Sequence, residues 1–172
     1  MSLVTKGAPD FDLEAVVGGQ FSRVSLQGLR GKWVVLFFYP LDFTFVCPTE
    51  ILEFSRRNGE FEEAGAQILS VSVDSKYSHL AWQKEIGGIA YPMLSDITKR
   101  VSAQYGVLLE DEGVALRGLF VIDPEGVVRY ELVHDLSVGR SVSETLRVLK
   151  ALQTGELCPV DWQPGGQTLG AP

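Results

Sequence analysis

Residues Trp33–Glu50 read WVVLFFYPLDFTFVCPTE and lead from a continuously apolar run to a cysteine followed by proline. The run Trp33–Phe38 predicts a strand that is buried on both faces. The residues after Cys47, PTE, are typical of a first helical turn, so we expect a helix to begin immediately after Cys47. Because a helix N-terminus favours negative charge, Cys47 is predicted to be a reactive thiolate rather than a structural core cysteine.

Strand and helix patterns alternate on both sides of this stretch. Phe11–Val17 and Phe21–Leu26 flank Gly18-Gly19 and predict an N-terminal hairpin. The further elements expected along the chain are a helix from Pro48 to about Ala64, a strand Gln67–Val73, a helix capped by Asp74 or Ser75 and stopped by Gly87-Gly88, a strand Tyr91–Leu94, a brief helix capped by Asp96, a hairpin made by GLFVID and VVRYELV, and a last helix opening at Ser141. This order predicts an α/β fold with a mixed central sheet flanked by helices.

The composition is that of an ordinary globular protein, with 172 residues of which 45% are hydrophobic and 22% are charged. A net charge of -7 argues against nucleic acid and anionic membranes as partners, because both require a basic surface. The longest apolar run, Trp33–Leu41, is much shorter than the ~20 residues of a membrane-spanning helix. Because the N-terminus lacks a signal-peptide pattern, we expect a cytoplasmic protein.

The expected domain organisation is one functional domain over residues 1–160, followed by a C-terminal arm over residues 161–172. The arm contains QPGGQTLGAP, whose glycine and proline content predicts an extended or mobile segment. The chain has two cysteines, Cys47 and Cys158. In a reducing compartment a disulfide is more often catalytic or transient than structural, so this pair predicts redox chemistry.

Pro40, Thr44 and Cys47 form the motif P-x-x-x-T-x-x-C, which resembles the active-site motif of the peroxiredoxins. The resemblance extends to further segments: VCPTE at 46–50, SHLAW at 78–82, RGLFVIDPEG at 117–126, Gly139-Arg140, and ELCP at 156–159. Together these segments span nearly the whole chain. They are similar to the typical two-cysteine peroxiredoxins, which include the peroxidase subunit of bacterial alkyl hydroperoxide reductase.

The resemblance implies a thioredoxin-like fold and a thiol-dependent peroxidase that reduces hydrogen peroxide and organic hydroperoxides in antioxidant defence. In this family the cysteine matching Cys47 attacks the peroxide and becomes a sulfenic acid. The cysteine matching Cys158, on the partner subunit, then forms an intersubunit disulfide, which thioredoxin or a dedicated flavoprotein disulfide reductase reduces. The family also implies a homodimer that assembles into a ring of five dimers. No cofactor or metal is expected, since no clustered His and Cys spacing supports a metal site.

The chemistry of peroxide reduction assigns roles to further residues. A thiolate that attacks a peroxide oxygen develops negative charge on the leaving oxygen, so the site needs cationic and hydroxyl donors. Complete ionisation of an ordinary thiol gains only about 30-fold at neutral pH, whereas one oriented donor contributes about 10² to 10³ in rate. We therefore expect Arg117 and Thr44 to activate the peroxide and Pro40 to shield the site from water.

The resemblance also bears on the roles of three other residues. Glu50 is expected to orient the arginines through a charge-assisted pair. Arg140 is either a partner in that pair or a surface charge at a helix start. Ser143 stands where the family often has an acidic residue, so the contact that a carboxylate makes there is not expected from Ser143.

Three further functions are compatible with these residues. A cysteine hydrolase with His79 or His134 as its base requires a histidine within hydrogen-bond reach of Cys47, whereas both histidines are otherwise predicted to be structural or surface residues. A holdase-type chaperone, an activity reported in this family, and a redox sensor are two non-enzymatic functions that also remain open. Cys47→Ser separates peroxide turnover from client protection, because only turnover requires the thiol.

Overall fold

The computed structural model describes all residues from Met1 to Pro172, which form two compact units, Met1–Arg140 and Ser141–Pro172. The first unit contains a seven-stranded mixed sheet and four α-helices, and the second contains a fifth helix and the C-terminal segment. The predicted α/β class, mixed sheet and N-terminal hairpin are confirmed.

Strands and helices alternate along most of the chain. The strands are β1 Asp12–Val17, β2 Gln20–Ser25, β3 Trp33–Phe38, β4 Ala66–Ser72, β5 Met93–Ser95, β6 Leu108–Leu109, β7 Val114–Ala115, β8 Arg117–Ile122 and β9 Val128–His134. The α-helices are α1 Cys47–Arg56, α2 Asn58–Glu63, α3 Lys76–Ile86, α4 Arg100–Gln104 and α5 Val142–Gln153, and a short 3-10 helix spans Gln27–Leu29. None of the helices has both the length and the apolar character needed to cross a membrane.

The large sheet is built around β3, the strand predicted from WVVLFF. The strand order is β2-β1-β5-β4-β3-β8-β9, and β6 and β7 form a separate small hairpin. β3 pairs in parallel with β4 and antiparallel with β8, so it has a hydrogen-bonded neighbour on each side. At its C-terminal end the chain enters residues 39–46, here called the Cys47 loop, which lead directly into α1.

The side chains of β3 are buried on both faces of the sheet, because successive residues of a strand point in opposite directions. Phe37 stacks on Phe54 of α1 with their ring centroids 4.6 Å apart. Phe38 faces the other side of the sheet, where its ring centroid lies 5.3 Å from that of Tyr105 and 5.9 Å from that of Phe120. The continuous apolar pattern of this strand therefore reflects two covered faces, as the sequence predicts.

The helix predicted from Pro48 to Ala64 is interrupted in the structure. α1 begins at Cys47 itself and ends at Arg56, and Arg57 has φ -101° and ψ 9°, which separates α1 from α2. The next two residues, Asn58 and Gly59, are poor helix formers and account for the break. The β6–β7 hairpin was not predicted from the sequence, because strands of two residues are too short to show the alternation of apolar and polar residues.

Of the two cap candidates for α3, Ser75 is the cap. Its hydroxyl accepts a hydrogen bond from the backbone amide of Ser78 at 3.2 Å. Gly87, with φ 100°, ends the helix in the left-handed conformation that glycine adopts without strain. Asp74 instead accepts a hydrogen bond from the backbone amide of Asp42, and thereby ties the Cys47 loop to the end of β4.

The second unit begins with α5, capped as predicted by Ser141, whose hydroxyl accepts from the Glu144 amide at 3.1 Å. The Glu144 carboxylate pairs with Arg147 at 2.6 Å instead of reaching back to the cap. After the helix, the C-terminal segment folds back on its own unit. The backbone amide of Leu157 donates to Gly170 at 2.9 Å, and that of Leu169 donates to Leu157 at 2.8 Å.

Leu36→Ala tests the central position of β3. Leu36 is fully buried, so its truncation leaves a cavity and should lower the free energy of unfolding by about 2–5 kcal/mol. Leu52→Ala, at a position of α1 that is 40% exposed, is the matched control and should change stability by no more than about 0.5 kcal/mol. Urea denaturation of both variants measures the difference, and equal losses would contradict the central role of β3.

Candidate active site

Cys47 is the first residue of α1 and is fully buried. Nη1 of Arg117 donates a hydrogen bond to its sulfur at 3.4 Å. Arg117 opens β8, and the antiparallel pairing of Phe37 with Leu119 brings that end of β8 beside the end of β3. The sheet register therefore places a cation next to the sulfur that the sequence predicts to be a thiolate.

Glu50, one helical turn after Cys47, accepts hydrogen bonds from both predicted arginines. Arg117 Nη1 donates to Oε1 at 2.7 Å, and Arg140 donates through Nε at 2.7 Å and Nη2 at 3.0 Å. The backbone amide of Arg140 donates to the same carboxylate at 2.7 Å. All three side chains are at most 3% exposed. A single carboxylate thus fixes two guanidinium groups in a buried cluster.

Arg140 is a buried partner of Glu50, which decides between the two roles that the sequence left open for it. Its Nη1 also donates to the backbone carbonyls of Phe38 and Gly118. Its guanidinium carbon lies 5.1 Å from the ring centroid of Phe37. These contacts connect Arg140 to the ends of β3 and β8 and leave Arg117 as the cation that reaches the sulfur.

The electrostatics of the cluster favour the ionised carboxylate. Burial by itself would raise the pKa of Glu50, but the hydrogen bonds and charge of Arg140 and the charge of Arg117 outweigh burial, so the pKa of Glu50 lies below its ordinary value. Burial lowers the pKa of Arg140, and the hydrogen bond and charge of Glu50 oppose that change. The cluster is therefore mutually dependent, since each charge stabilises its partner in a site without water contact.

The two other motif residues, Thr44 and Pro40, lie in the Cys47 loop. Thr44 is partly exposed, and its hydroxyl donates to the backbone carbonyl of Leu41 at 3.0 Å. Pro40 is buried and lies two residues after the end of β3. In this state the Thr44 hydroxyl stabilises a local turn, a role that threonine commonly has in loops.

A second polar cluster, which was not predicted from the sequence, is centred on Asp42 of the Cys47 loop. The Tyr39 hydroxyl donates to Asp42 at 2.7 Å, and Nδ1 of His79 lies 2.8 Å from the same carboxylate. Burial, followed by the charge and hydrogen bond of Asp42, raises the pKa of Tyr39 well above its ordinary value. The available signal was an isolated aspartate within an apolar stretch, because such a carboxylate is rarely buried without a partner.

Neither histidine supplies the base that a cysteine hydrolase requires. The two ring nitrogens of His79 face Asp42 and the Leu94 carbonyl oxygen, the latter at 3.0 Å. Nδ1 of His134 lies 3.2 Å from the Val138 carbonyl oxygen. The hydrogen-bond partner of the Cys47 sulfur is Arg117, which is not a base, so a cysteine hydrolase has no geometric support.

Cys158 belongs to the second unit, where it follows α5 and is half-buried. Its sulfur lies 3.5 Å from the Thr154 hydroxyl and 3.7 Å from the Ala151 carbonyl oxygen. Cys47 and Cys158 are both free thiols in this structure.

Comparison with known proteins gives consistent matches. The sequence profile of the AhpC/TSA family matches residues 4–131. A putative peroxiredoxin in the rubredoxin operon of Clostridium pasteurianum is 56% identical over 175 residues, which cover 97% of this chain and 98% of the relative. The mitochondrial thioredoxin-dependent peroxide reductase of Mus musculus is 54% identical, with 96% of this chain and 68% of the relative covered. The crystal structure of reduced Plasmodium vivax 2-Cys peroxiredoxin matches with a TM-score of 0.95 at 45% identity, covering 98% of this chain and 93% of that one.

This chain therefore belongs to the AhpC/TSA family. It is an enzyme of the peroxiredoxin class, with the thioredoxin-like fold of that class, and its activity is thiol-dependent peroxide reduction. The Enterococcus faecalis AhpC structure supports the same placement, with a TM-score of 0.88 at 38% identity over 92% of this chain and 100% of that one.

Glu50→Gln tests the buried cluster. The variant leaves two arginines without their anion, so the free energy of unfolding should fall by about 3–5 kcal/mol at pH ~7. Because folding lowers the pKa of Glu50, its contribution is present above the unfolded-state value of about 4.3 and is lost as the pH falls through the lower folded value. The stability difference between wild type and variant, measured by urea denaturation, should therefore shrink as the pH falls below about 5.

The matched control is Glu53→Gln in the same helix, whose carboxylate pairs with exposed Arg56 and should contribute little to stability. A wild-type advantage over Glu50→Gln that stays constant across the acidic range would contradict the assigned ionisation of Glu50.

Proposed function

We propose that this protein reduces hydrogen peroxide and organic hydroperoxides with Cys47 as the nucleophile. The thiolate sulfur forms a bond to one peroxide oxygen while the O–O bond breaks, and the leaving oxygen takes up a proton and departs as water or an alcohol. Cys47 is thereby oxidised to a sulfenic acid. The observation that carries this proposal is the hydrogen bond from Arg117 to the buried Cys47 sulfur, at 3.4 Å.

Arg117 is proposed to stabilise the negative charge that develops on the leaving oxygen. Its Nε donates to the Leu136 carbonyl at 2.8 Å and its Nη1 donates to Glu50 at 2.7 Å, so its orientation is set before a substrate arrives. A preorganised donor requires no rearrangement during the reaction and contributes about 10² to 10³ in rate. Arg140 acts through Glu50, which it holds in place, and is therefore a positioning residue.

Thr44 is proposed to donate a second hydrogen bond to the peroxide. A hydroxyl rotates freely about its C–O bond, so Thr44 can exchange the Leu41 carbonyl for a peroxide oxygen. Pro40 is proposed to limit the access of water, because it is buried and offers no backbone N–H for water to bind.

Cys158 of a partner subunit is proposed to resolve the sulfenic acid. Its thiol attacks the Cys47 sulfur, an intersubunit disulfide forms and water leaves. Thioredoxin or a flavoprotein disulfide reductase would then reduce the disulfide. The similarity to a thioredoxin-dependent peroxide reductase supports thioredoxin as the electron donor. Such a cycle needs a reducing compartment, which supports a cytoplasmic location.

The dimer is proposed to assemble into a ring of five dimers through the loop around the active site and the surface around residues 74–77. Tyr77 is 67% exposed and Phe21 is 45% exposed, and the two rings meet edge to face at 5.2 Å. The Lys76 ammonium lies 5.1 Å from the Phe21 ring and forms an ion pair with Glu14 at 2.6 Å. Aromatic groups at a solvent surface with a polar rim are typical of protein interfaces.

Non-reducing denaturing electrophoresis tests the two cysteine assignments. After one equivalent of hydrogen peroxide, wild type should run as a covalent dimer. Cys47→Ser should stay monomeric and lose peroxide turnover, and Cys158→Ser should consume peroxide once and retain a sulfenic acid that a dimedone label detects by mass. A wild-type disulfide that forms within single chains would contradict the intersubunit geometry.

Sedimentation velocity tests the ring surface. Tyr77→Ala removes an exposed aromatic of the proposed contact and should convert reduced rings into dimers, whereas Ile97→Ala, at another exposed apolar position, should leave the ring intact. Oxidation of wild type should also shift the population toward dimers, because disulfide formation requires the Cys47 loop to open. Equal ring stability in both redox states would refute this linkage.

A further inference from the structure

Asp42, within the Cys47 loop, is the centre of a buried polar cluster that the peroxidase chemistry above does not use. Its carboxylate accepts hydrogen bonds from the hydroxyls of Tyr39 at 2.7 Å and Ser78 at 2.8 Å, and it faces Nδ1 of His79 at 2.8 Å. Its backbone amide donates to the Asp74 carboxylate at 2.9 Å. The side chains of Asp42 and His79 are fully buried.

His79 has a hydrogen-bond partner at each of its two ring nitrogens. Nε2 lies 3.0 Å from the Leu94 carbonyl oxygen, which can only accept, so Nε2 carries a hydrogen. Nδ1 lies 2.8 Å from the Asp42 carboxylate, which also accepts the hydroxyl hydrogens of Tyr39 and Ser78. Removal of either partner leaves the polar group of the other buried without this contact, which is costly.

Phe43 shows what this cluster holds in place. Its backbone has φ 57°, in the left-handed region that bulky residues rarely adopt. Such a conformation persists only where surrounding contacts impose it. The hydrogen bonds of Asp42 hold the residue that precedes Phe43. The centroid of the Phe43 ring lies 6.0 Å from the ring centroid of the buried Trp82. The turn at Phe43 sets the direction in which residues 44–46 run toward Cys47.

We propose that Asp42 and His79 are positioning residues that hold the Cys47 loop in the conformation that reacts with peroxide. The inference rests on the proposed function, because it assigns the pair a share in the two fates of the Cys47 sulfenic acid. Disulfide formation with Cys158 requires the loop to open, whereas oxidation to sulfinic acid by a second peroxide occurs while it is closed. The pair therefore sets the ratio between the two products.

In this proposal the loop stays closed only while the Asp42–His79 pair holds the turn at Phe43. Loss of the pair should therefore slow the reaction of Cys47 with peroxide and speed up disulfide formation. If a variant leaves about a tenth of the molecules closed, the rate constant of reduced Cys47 with hydrogen peroxide falls about tenfold, since it scales with the competent fraction. Disulfide formation accelerates because the open state is already populated. A defect that merely weakened the whole fold would not speed up either step.

The test compares Asp42→Asn, His79→Gln, the double variant and the milder Tyr39→Phe, which removes only one hydroxyl donor. Stopped-flow tryptophan fluorescence gives the peroxide and disulfide rates, and mass spectrometry gives the sulfinic fraction at rising peroxide. We expect slower peroxide reaction, faster disulfide formation and less sulfinic acid, with Tyr39→Phe showing the smallest changes. The double variant should change little beyond either single variant, because the partners act as a pair. Unchanged partition between disulfide and sulfinic acid in variants that fold would overturn the proposal.

Amide hydrogen exchange of residues 43–49 in the reduced protein, without peroxide, tests the loop independently of the chemistry. Exchange should accelerate about tenfold in Asp42→Asn. Unchanged exchange would overturn the proposal that Asp42 holds the loop, even if Cys47 proved not to be the nucleophile. Asp123→Asn is the matched control, because Asp123, in the β8–β9 turn, is a buried carboxylate that pairs with Arg129. It should lower global stability while leaving the loop exchange and the product ratio unchanged.

Discussion

The carboxylate of Glu50, buried between two arginines, is the interaction on which the site depends. Two guanidinium groups would repel one another in a region without water, and Glu50 provides the charge that holds both. Through Arg117 the carboxylate directs a donor at the Cys47 sulfur, and through Arg140 it connects to the ends of β3 and β8. The same hydrogen bonds therefore stabilise the fold and preorganise the site. The geometry of the active site is thus part of the packing of the core.

The Cys47 loop lies between this cluster and a second one. Glu50 and its arginines hold the start of α1, while Asp42 is bound by Tyr39 and faces His79 earlier in the loop. In the proposed cycle, peroxide reduction needs an ordered loop, because a donor must face the sulfur, whereas the proposed disulfide needs the loop to open. These two requirements oppose each other, and in our proposal the polar contacts at the two ends of the loop set the balance.

Elements fixed by local patterns could be predicted from the sequence. The apolar run of β3, the hairpin around Gly18-Gly19 and the helix start at Cys47 each depend on residues close in the chain, as does the Ser141 cap. Strand periodicity, turn residues and capping groups act over a few positions, so their signal survives in one sequence. The motif residues were identified through their resemblance to the family. The helix break at Arg57 was not predicted, because modest propensities do not specify where a helix ends.

What only the tertiary structure decided is which charged and polar side chains are buried together. Glu50 and Arg140 are separated by 90 positions and Asp42 and His79 by 37, and no local pattern links the members of either pair. The sequence left Arg140 open between a surface charge and a partner of Glu50, and it predicted His79 to be a structural or surface residue. The pairing of β3 with β8 and the packing of α3 fix these contacts, because a charge enters a core only where the fold has already placed its counter-charge.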